Sequence, residues 1–543
     1  MEAKSMKRPL DVDGGEVKTP VEKPKKRKLT DDETEQLKRE LNNAGREQDP
    51  EKAVRLFDQA MENDVVLNLK HLQVVLHLIS GGEDWHLKLD SFLGPDSNSP
   101  EVVKDKNLCR RDKDIYLYMR KRGIELNEFV YTGLARIAVL CGDPEGALRI
   151  ARDCTARAKS GKNPKITKPR LRTFTPALLG FCKKNNLDRA MEVESELRRL
   201  ELALTEPEYR EMLSAAVRTR NESCGTYILE CMVREILKVE DPTAKVLEAY
   251  FRDYNERSGK KIGNGSGKYV VSRAKIAEDG KCSASGKYLT KLDLKEGEMM
   301  TLAEKISGLA IQRENRSDAF KMFKNYLKKY GPYDIIIDGA NVGFFGQSKQ
   351  GIFTFGQVET MVKEVRKRWP DRKALIVLHS RRIHSFTKGN RYNANMVERM
   401  NHSRELFSTP SGSNDDWYWI YAAVLSGPRG LIVTNDEMRD HIFQTLESKN
   451  FQRWKLCHQV RFSIYNDRVD FVMPGKYTTA IQRHQSSWWF PITKEKVVRK
   501  RHEKKEREVM NPGMVKKVEL EREWLSCNFV EIEEGEVEPE PGM

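Results

Sequence analysis

Asp334-Ile335-Ile336-Ile337-Asp338-Gly339-Ala340-Asn341-Val342-Gly343 decides the fold of the C-terminal half of this chain. A short, wholly apolar run that ends on Asp-Gly reads as a strand buried on both faces, followed by a turn. Working outward, Ala374-Leu375-Ile376-Val377-Leu378 and Gly430-Leu431-Ile432-Val433-Thr434 are runs of the same kind. Helical stretches lie between them, notably Val358–Arg368 and Trp417–Leu425. Apolar strands alternating with helices predict an α/β domain with a parallel sheet covered on both faces.

In such a sheet ligands gather beyond the carboxyl ends of the strands, and acidic residues fall there. Asp338 follows the first strand. Asp436 follows the strand Leu431–Val433, within Thr434-Asn435-Asp436-Glu437-Met438-Arg439-Asp440-His441. Asp415 and Asp416 open the helix through Trp417-Tyr418-Trp419. Each has an ordinary structural reading, an N-cap for Asp415 or Asp416 and a turn residue for Asp338. Converging together, four carboxylates would repel one another strongly and would call for a cation. Mg²⁺, with Mn²⁺ as a substitute, takes oxygen ligands and suits phosphodiester hydrolysis.

The N-terminal half, from about 35 to 255, has helical periodicity with short polar breaks. Asp49-Pro50-Glu51-Lys52-Ala53, Gly142-Asp143-Pro144-Glu145-Gly146-Ala147 and Asn185-Asn186-Leu187-Asp188-Arg189-Ala190 each join an apolar helix to a second helix that opens on Ala. Such irregular repeats of about 35 residues predict a solenoid of helical hairpins, and the turn formula resembles that of pentatricopeptide repeats.

The whole chain has 543 residues, with 96 Lys+Arg against 81 Asp+Glu and a net charge of +15. No apolar run reaches the roughly 18 residues of a membrane span. Nine scattered cysteines without a CxxC pair or a signal peptide predict a reduced intracellular protein. Nine basic residues and no acidic one lie between Cys154 and Leu187, among them Lys165, Lys168, Arg170 and Arg172. Arg372–Val397 is also acid-free and holds Arg381, Arg382, Lys388, Arg391 and Tyr392. A solvated face is the ordinary reading of such runs. Inside a repeat array the first of these runs predicts a phosphate-facing surface. Lys23-Pro24-Lys25-Lys26-Arg27-Lys28, in a polar N-terminus, resembles a nuclear import signal.

Taken together, Asp338–Gly343, Asn414-Asp415-Asp416, Thr434–His441 and Arg453-Trp454…His458-Gln459-Val460 resemble the metallonuclease domain of protein-only RNase P, of the NYN branch of PIN-like nucleases. The order of parts is also similar: a pentatricopeptide-repeat arm, a small central module, then the nuclease. The resemblance implies an endoribonuclease that removes the 5′ leader of precursor tRNA with Mg²⁺ and without a catalytic RNA subunit, leaving a 5′ phosphate. It makes Asp338, Asp415, Asp416 and Asp436 the catalytic metal ligands. It places Arg439, Asp440 and His441 beside them or on the scissile phosphate, gives the arm the tRNA elbow, and makes the stretches 154–187 and Arg372–Val397, the latter with Arg381, Arg382 and Arg391, the RNA-facing surfaces. The expected organisation is a basic tail at 1–34, the repeat arm at 35–255 and a connector module at 256–325 and 476–530. The nuclease occupies 326–475, a charged helix covers about 493–523, and an acidic tail spans 531–543. A monomer located in the nucleus is expected. Competing readings are a non-catalytic repeat adaptor and a nuclease for another structured RNA.

The resemblance also implies a structural zinc in the central module, held by a CxxC pair, a His and a late Cys. This chain departs from it. Cys282-Ser283-Ala284-Ser285 has Ser285 in place of the second Cys, Trp489 stands where the His is expected, and Cys527 is the candidate late Cys. The expectation is therefore no zinc and a hydrophobic substitute built on tryptophans, with His484 or His502 as the remaining candidates to rescue the site.

Overall fold

The structure is a computed structural model that describes residues 29–93, 98–161, 170–258, 267–314, 317–346, 353–438, 449–465, 468–493 and 523–531. The basic cluster at 23–28, Lys165, Lys168, Arg439, Asp440, His441, His502 and positions 532–543 lie outside these residues, as does the body of the expected charged helix. Thr493 and Glu523, the ends of that helix as expected, belong to strands.

The chain divides into two compact units, Met1–Gly180 and Phe181–Met543. The division falls inside the helix Leu171–Lys183, so the helical stretch expected as one domain is shared between both units. Among the described residues no helix is long and apolar enough to cross a membrane.

The repeated turns have one local cause. Asp49, Asp143 and Asn186 cap the helices Pro50–Glu62, Pro144–Ser160 and Leu187–Arg199, their side chains accepting from the backbone N–H groups of Lys52, Gly146 and Arg189. Such a cap satisfies one of the helix's open donors. The residue before each cap, Gln48, Gly142 or Asn185, is left-handed, with φ of 57°, 82° and 56°. Four positions after each cap come Ala53, Ala147 and Ala190, all with 0% exposure. The structure adds a fourth case in the second unit. There Arg220 is left-handed at 52°, Asn221 caps Glu222–Glu235, and buried Gly225 takes the alanine's place. A Cβ on Gly225 would lie 2.2 Å from the Tyr250 ring, so even alanine would not fit.

The nuclease sheet has six strands in the order Leu406–Thr409, Ala374–His379, Ile335–Asp338, Leu431–Val433, Gln459–Tyr465 and Arg468–Val472. The first five run parallel and the last pairs antiparallel with its neighbour. Side chains alternate between faces, as strand geometry requires. Ile336, Leu375, Val377 and Ile432 enter one core with the helix Asp415–Leu425. Ile335, Ile337, Ile376, Leu378 and Val433 enter the other, with the helices Phe355–Arg368 and Arg391–His402. Full burial of each such side chain is worth about 1.5–3 kcal/mol.

The first core also takes Met299, Leu302, Ile306 and Ala310 from the helix Glu296–Glu314, and Phe320, Phe323 and Leu327 from Ser317–Tyr330. These helices complete one face of the nuclease sheet, so its core begins near 294 and not at 326.

The central module is a second sheet. Val239–Glu240, Ser487–Thr493, Glu523–Glu531 and Gly267–Ala274 lie side by side, with Gln482–His484 also paired to Ser487–Thr493.

Candidate active site

Strand order reverses direction of growth between Ile335–Asp338 and Leu431–Val433: the next two strands in sequence build outward on one side, the last three on the other. A crevice opens at such a switch point beyond the carboxyl ends. Asp338 and Asp436 occupy the two loops that border it.

Asp338 is 4% exposed and caps the short helix Gly339–Gly343, its Oδ1 accepting from Asn341 N at 3.0 Å. Its other oxygen accepts from the Thr434 hydroxyl at 2.9 Å. The same hydroxyl oxygen accepts from Asp436 N at 3.0 Å, so one side chain spans both loops. Gly339 is closely approached, since a Cβ there would lie 3.0 Å from Ile376 Cγ2 and Val377 O and would crowd both.

A second tie runs parallel to the first. Asn341 Oδ1 accepts from Asn435 N at 2.9 Å, and the Asn435 side chain exchanges two hydrogen bonds with the backbone of Phe462. Gln459 Nε2 donates to Thr434 O at 2.9 Å and Asp436 O at 3.0 Å. Asp436 Oδ1 accepts from Met438 N at 2.6 Å. Asn341, Thr434, Asn435 and Gln459 had no assigned role from the sequence alone. Asn341, Thr434 and Asn435 shared a signal of position, as polar residues following apolar strands, whereas Gln459 opens the strand Gln459–Tyr465.

The third side of the site is the start of Asp415–Leu425, anchored by the buried run Trp417–Val424. Neither aspartate is the N-cap. Asn414 takes that role, accepting from Asp416 N at 3.0 Å, which leaves both carboxylates in the first turn, where the helix dipole favours negative charge. Asp416 Oδ1 accepts from Trp419 Nε1 at 3.2 Å. Asp415 Oδ2 is buried and has no hydrogen-bond partner.

Electrostatics link the four. Burial pushes the Asp338 carboxyl up to about 7, with repulsion from Asp416 and Asp415 adding to it, against the hydrogen bonds of Asn341 and Thr434. Burial likewise pushes Asp416 up to about 7, helped by Asp415 and Asp436 and opposed by Trp419 and Asn414. Mutual repulsion among buried carboxylates, with an orphaned carboxylate oxygen on Asp415, fits a site completed by a hard cation. Among the described residues no three His, Cys, Asp or Glu side chains are already gathered at ligating geometry.

Of the expected RNA-facing residues, Arg381 and Arg391 are exposed on the helices Ser380–Thr387 and Arg391–His402. Arg382 is half-buried, its guanidinium 4.4 Å from the Phe344 ring centroid and 5.6 Å from that of Phe353. Phe344 directly follows the helix that Asp338 caps, so this stacked cation is held beside the acidic loop. In the repeat arm Arg170 is exposed. Arg172 is instead engaged: its Nε donates to Glu128 Oε1 at 2.8 Å, and Glu128 also accepts from the hydroxyls of Thr132 and Thr173. Arg172, whose side chain is 49% exposed, therefore neutralises a buried carboxylate inside the arm as well as facing solvent.

Residues 276–509 match the family Protein-only RNase P, and residues 24–258 match the Pentacotripeptide-repeat region of PRORP. Proteinaceous RNase P 2 of Arabidopsis thaliana is 30% identical over 511 residues, covering 87% of this chain and 91% of that protein. Proteinaceous RNase P 1, chloroplastic/mitochondrial, of the same plant is 31% identical over 491 residues, covering 86% and 81%. The crystal structure of the nuclear proteinaceous RNase P 2 from A. thaliana aligns with a TM-score of 0.63 at 29% identity, over 91% of this chain and 99% of that one. Similarity that runs through both halves, in sequence and in fold, fixes descent: the chain belongs to the protein-only RNase P family.

Proposed function

We propose that the chain is an endoribonuclease that removes the 5′ leader of precursor tRNA by metal-dependent phosphodiester hydrolysis and leaves a 5′ phosphate on the mature tRNA. The observation that carries this reading is the placement of Asp338 and Asp436, tied through Thr434 beyond the carboxyl ends of a parallel sheet, together with Asp415 and Asp416 in the first turn of a helix. All four carboxylates are present, and this speaks against a non-catalytic adaptor.

These four residues would hold Mg²⁺, or Mn²⁺ in its place. Bound there, the ion supplies a water acidified toward neutral pH and positive charge for the departing oxygen. The protein's own part is to fix its carboxylates. Asn341 N–H and the Thr434 hydroxyl each occupy one oxygen of Asp338, and Trp419 and Met438 N–H do the same for Asp416 and Asp436. Their remaining lone pairs are directed by these bonds, so little reorganisation accompanies the reaction. Arg382, Arg381 and Arg391 bind RNA phosphates beside the carboxylates. The arm reads the shape and backbone of folded tRNA more than its sequence. Arg439, Asp440 and His441 are assigned to the phosphate or to the metal's surroundings by family resemblance alone.

The enzyme acts as a monomer with no RNA subunit. A nuclear location rests on Lys23–Lys28, and replacing Lys25, Lys26 and Arg27 with alanine in a fluorescent fusion should abolish nuclear accumulation. The activity itself is tested by incubating purified protein with Mg²⁺ and a precursor tRNA and mapping both ends of the products. Cleavage at the leader junction with a 5′ phosphate is expected. Cleavage elsewhere, or only of other structured RNAs, would overturn the substrate assignment.

A further inference from the structure

The zinc implied by the family meets a donor set in the central module that does not fit it. Cys282 is 1% exposed and sits in a tight turn, with Cys282 N donating to Lys287 O at 2.8 Å and Gly286 N to Cys282 O at 2.9 Å. Its thiol lies near the Ser285 hydroxyl and the backbone N–H groups of Ala284 and Ser285, and the Ser526 hydroxyl on the neighbouring strand is buried without a hydrogen-bond partner. On the paired strands Trp489 stands opposite Ser526. Trp489 is 2% exposed and joins Cys282, Ala274, Leu289 and Trp524 in one apolar cluster, with Ile276 and Tyr477 against it.

Among the described residues the four converging positions are thus Cys282, Ser285, Trp489 and Ser526. Cys527 is the wrong candidate for the fourth. Strand alternation turns it to the opposite face from Ser526, where it is fully buried and its thiol is held protonated by desolvation. His484 is exposed at the strand margin and takes no part. One thiol, two neutral hydroxyls and an indole that can only donate cannot make a zinc tetrad. Trp489 Nε1 has no hydrogen-bond partner, so the ring serves there as volume.

We infer that this module is cross-linked without zinc. The Trp489 indole fills the centre where a metal would sit, and its packing with Cys282, Ala274, Leu289 and Trp524 ties the turn at 282–287 to the strand pair Ser487–Thr493 and Glu523–Glu531. The turn has kept the backbone N–H groups that would steady a metal thiolate and now uses them on a metal-free sulfur.

The test is metal analysis and thermal unfolding of the full chain, produced in zinc-supplemented medium and kept in excess Mg²⁺. Zinc well below one per chain is expected, with the same Tm whether or not a zinc-selective chelator is added. One zinc per chain that survives dialysis, or a Tm that falls on chelation, would overturn the inference. The triple variant Ser285→Cys, Trp489→His, Ser526→Cys should gain one zinc per chain and a chelator-sensitive Tm. A folded triple variant that takes up none would mean the four side chains do not converge. If that variant does not fold, Cys282→Ser in the parent decides. Its Tm should fall by no more than about 5 °C, the scale of one lost polar contact, and unfolding of the module would refute metal independence.

Discussion

The Thr434 hydroxyl donates to Asp338 Oδ2 at 2.9 Å across 96 residues of sequence, and its oxygen accepts from Asp436 N at 3.0 Å. One small side chain thereby orients an acidic residue on each side of the crevice. Thr434→Val keeps the shape and removes the bond. Hydrogen bonds to charged groups are worth about 1.5–3 kcal/mol, so single-turnover cleavage should slow about 10- to 100-fold while precursor tRNA binding holds. Thr434→Ser should recover most of the rate. Equal losses in both variants would mean that methyl packing, and not the hydroxyl, matters.

Asp415→Asn and Asp416→Asn should separate stability from activity. Each removes a negative charge from a cluster of buried, repelling carboxylates, so the metal-free protein should melt higher than the parent at pH 8. Each also removes a ligand. Cleavage should fall by about 10³-fold or more, as when several kcal/mol of metal-borne charge stabilisation is lost. Rate and melting temperature moving in the same direction would contradict the site.

The pH dependence follows from the two raised carboxyls. Asp338 and Asp416 have folded-state values of about 7 against an ordinary 3.8. Between those values the folded protein holds protons that the unfolded chain has released, so metal-free stability falls as pH rises through this window. Metal must displace these protons. The rise in Tm on adding Mg²⁺ should therefore be larger at pH 8 than at pH 6, and cleavage at limiting Mg²⁺ should increase over the same interval. Equal Mg²⁺ stabilisation at both values would sever the link.

Basic residues in the arm and the nuclease should divide into two classes. Arg381→Ala with Arg391→Ala should weaken tRNA binding and reduce the slope of log affinity against log salt by about 1–2, leaving Tm unchanged. Arg172→Ala should instead lower stability by about 1–3 kcal/mol, because buried Glu128 loses its cation and keeps only the Thr132 and Thr173 hydroxyls. A salt titration and a melting curve on the same samples distinguish the classes.

The strand at Ile335, the crevice side of Asp338 and the paired aspartates before Trp417 were all legible, because each rests on a local pattern of apolar run and terminal acid. The repeat turns were legible wherever an alanine marked them. The fourth was missed because Gly225 stands where Tyr250, 25 residues on, leaves no room for a methyl group. Arg172 looked like its basic neighbours until Glu128, 44 residues upstream, was placed against it. Likewise Ser526 and Cys527 differ only in the face of the strand they take, which pairing with Trp489 determines. What escaped the sequence were partners chosen by tertiary packing.

The position of the two acidic loops has a consequence for biosynthesis. Ile335–Asp338 and Leu431–Val433 are neighbours in the sheet, yet the chain lays down two other parallel strands before it makes the second of them. Gln459, which secures the later loop, comes later still. Contacts of such separation form late. An emerging or truncated polypeptide ending before residue 433 would carry the complete repeat arm and could embrace a tRNA, but it would hold only part of its cutting centre. The two acidic loops therefore come together only after the chain has passed Gln459 and the sheet has closed around Leu431–Val433.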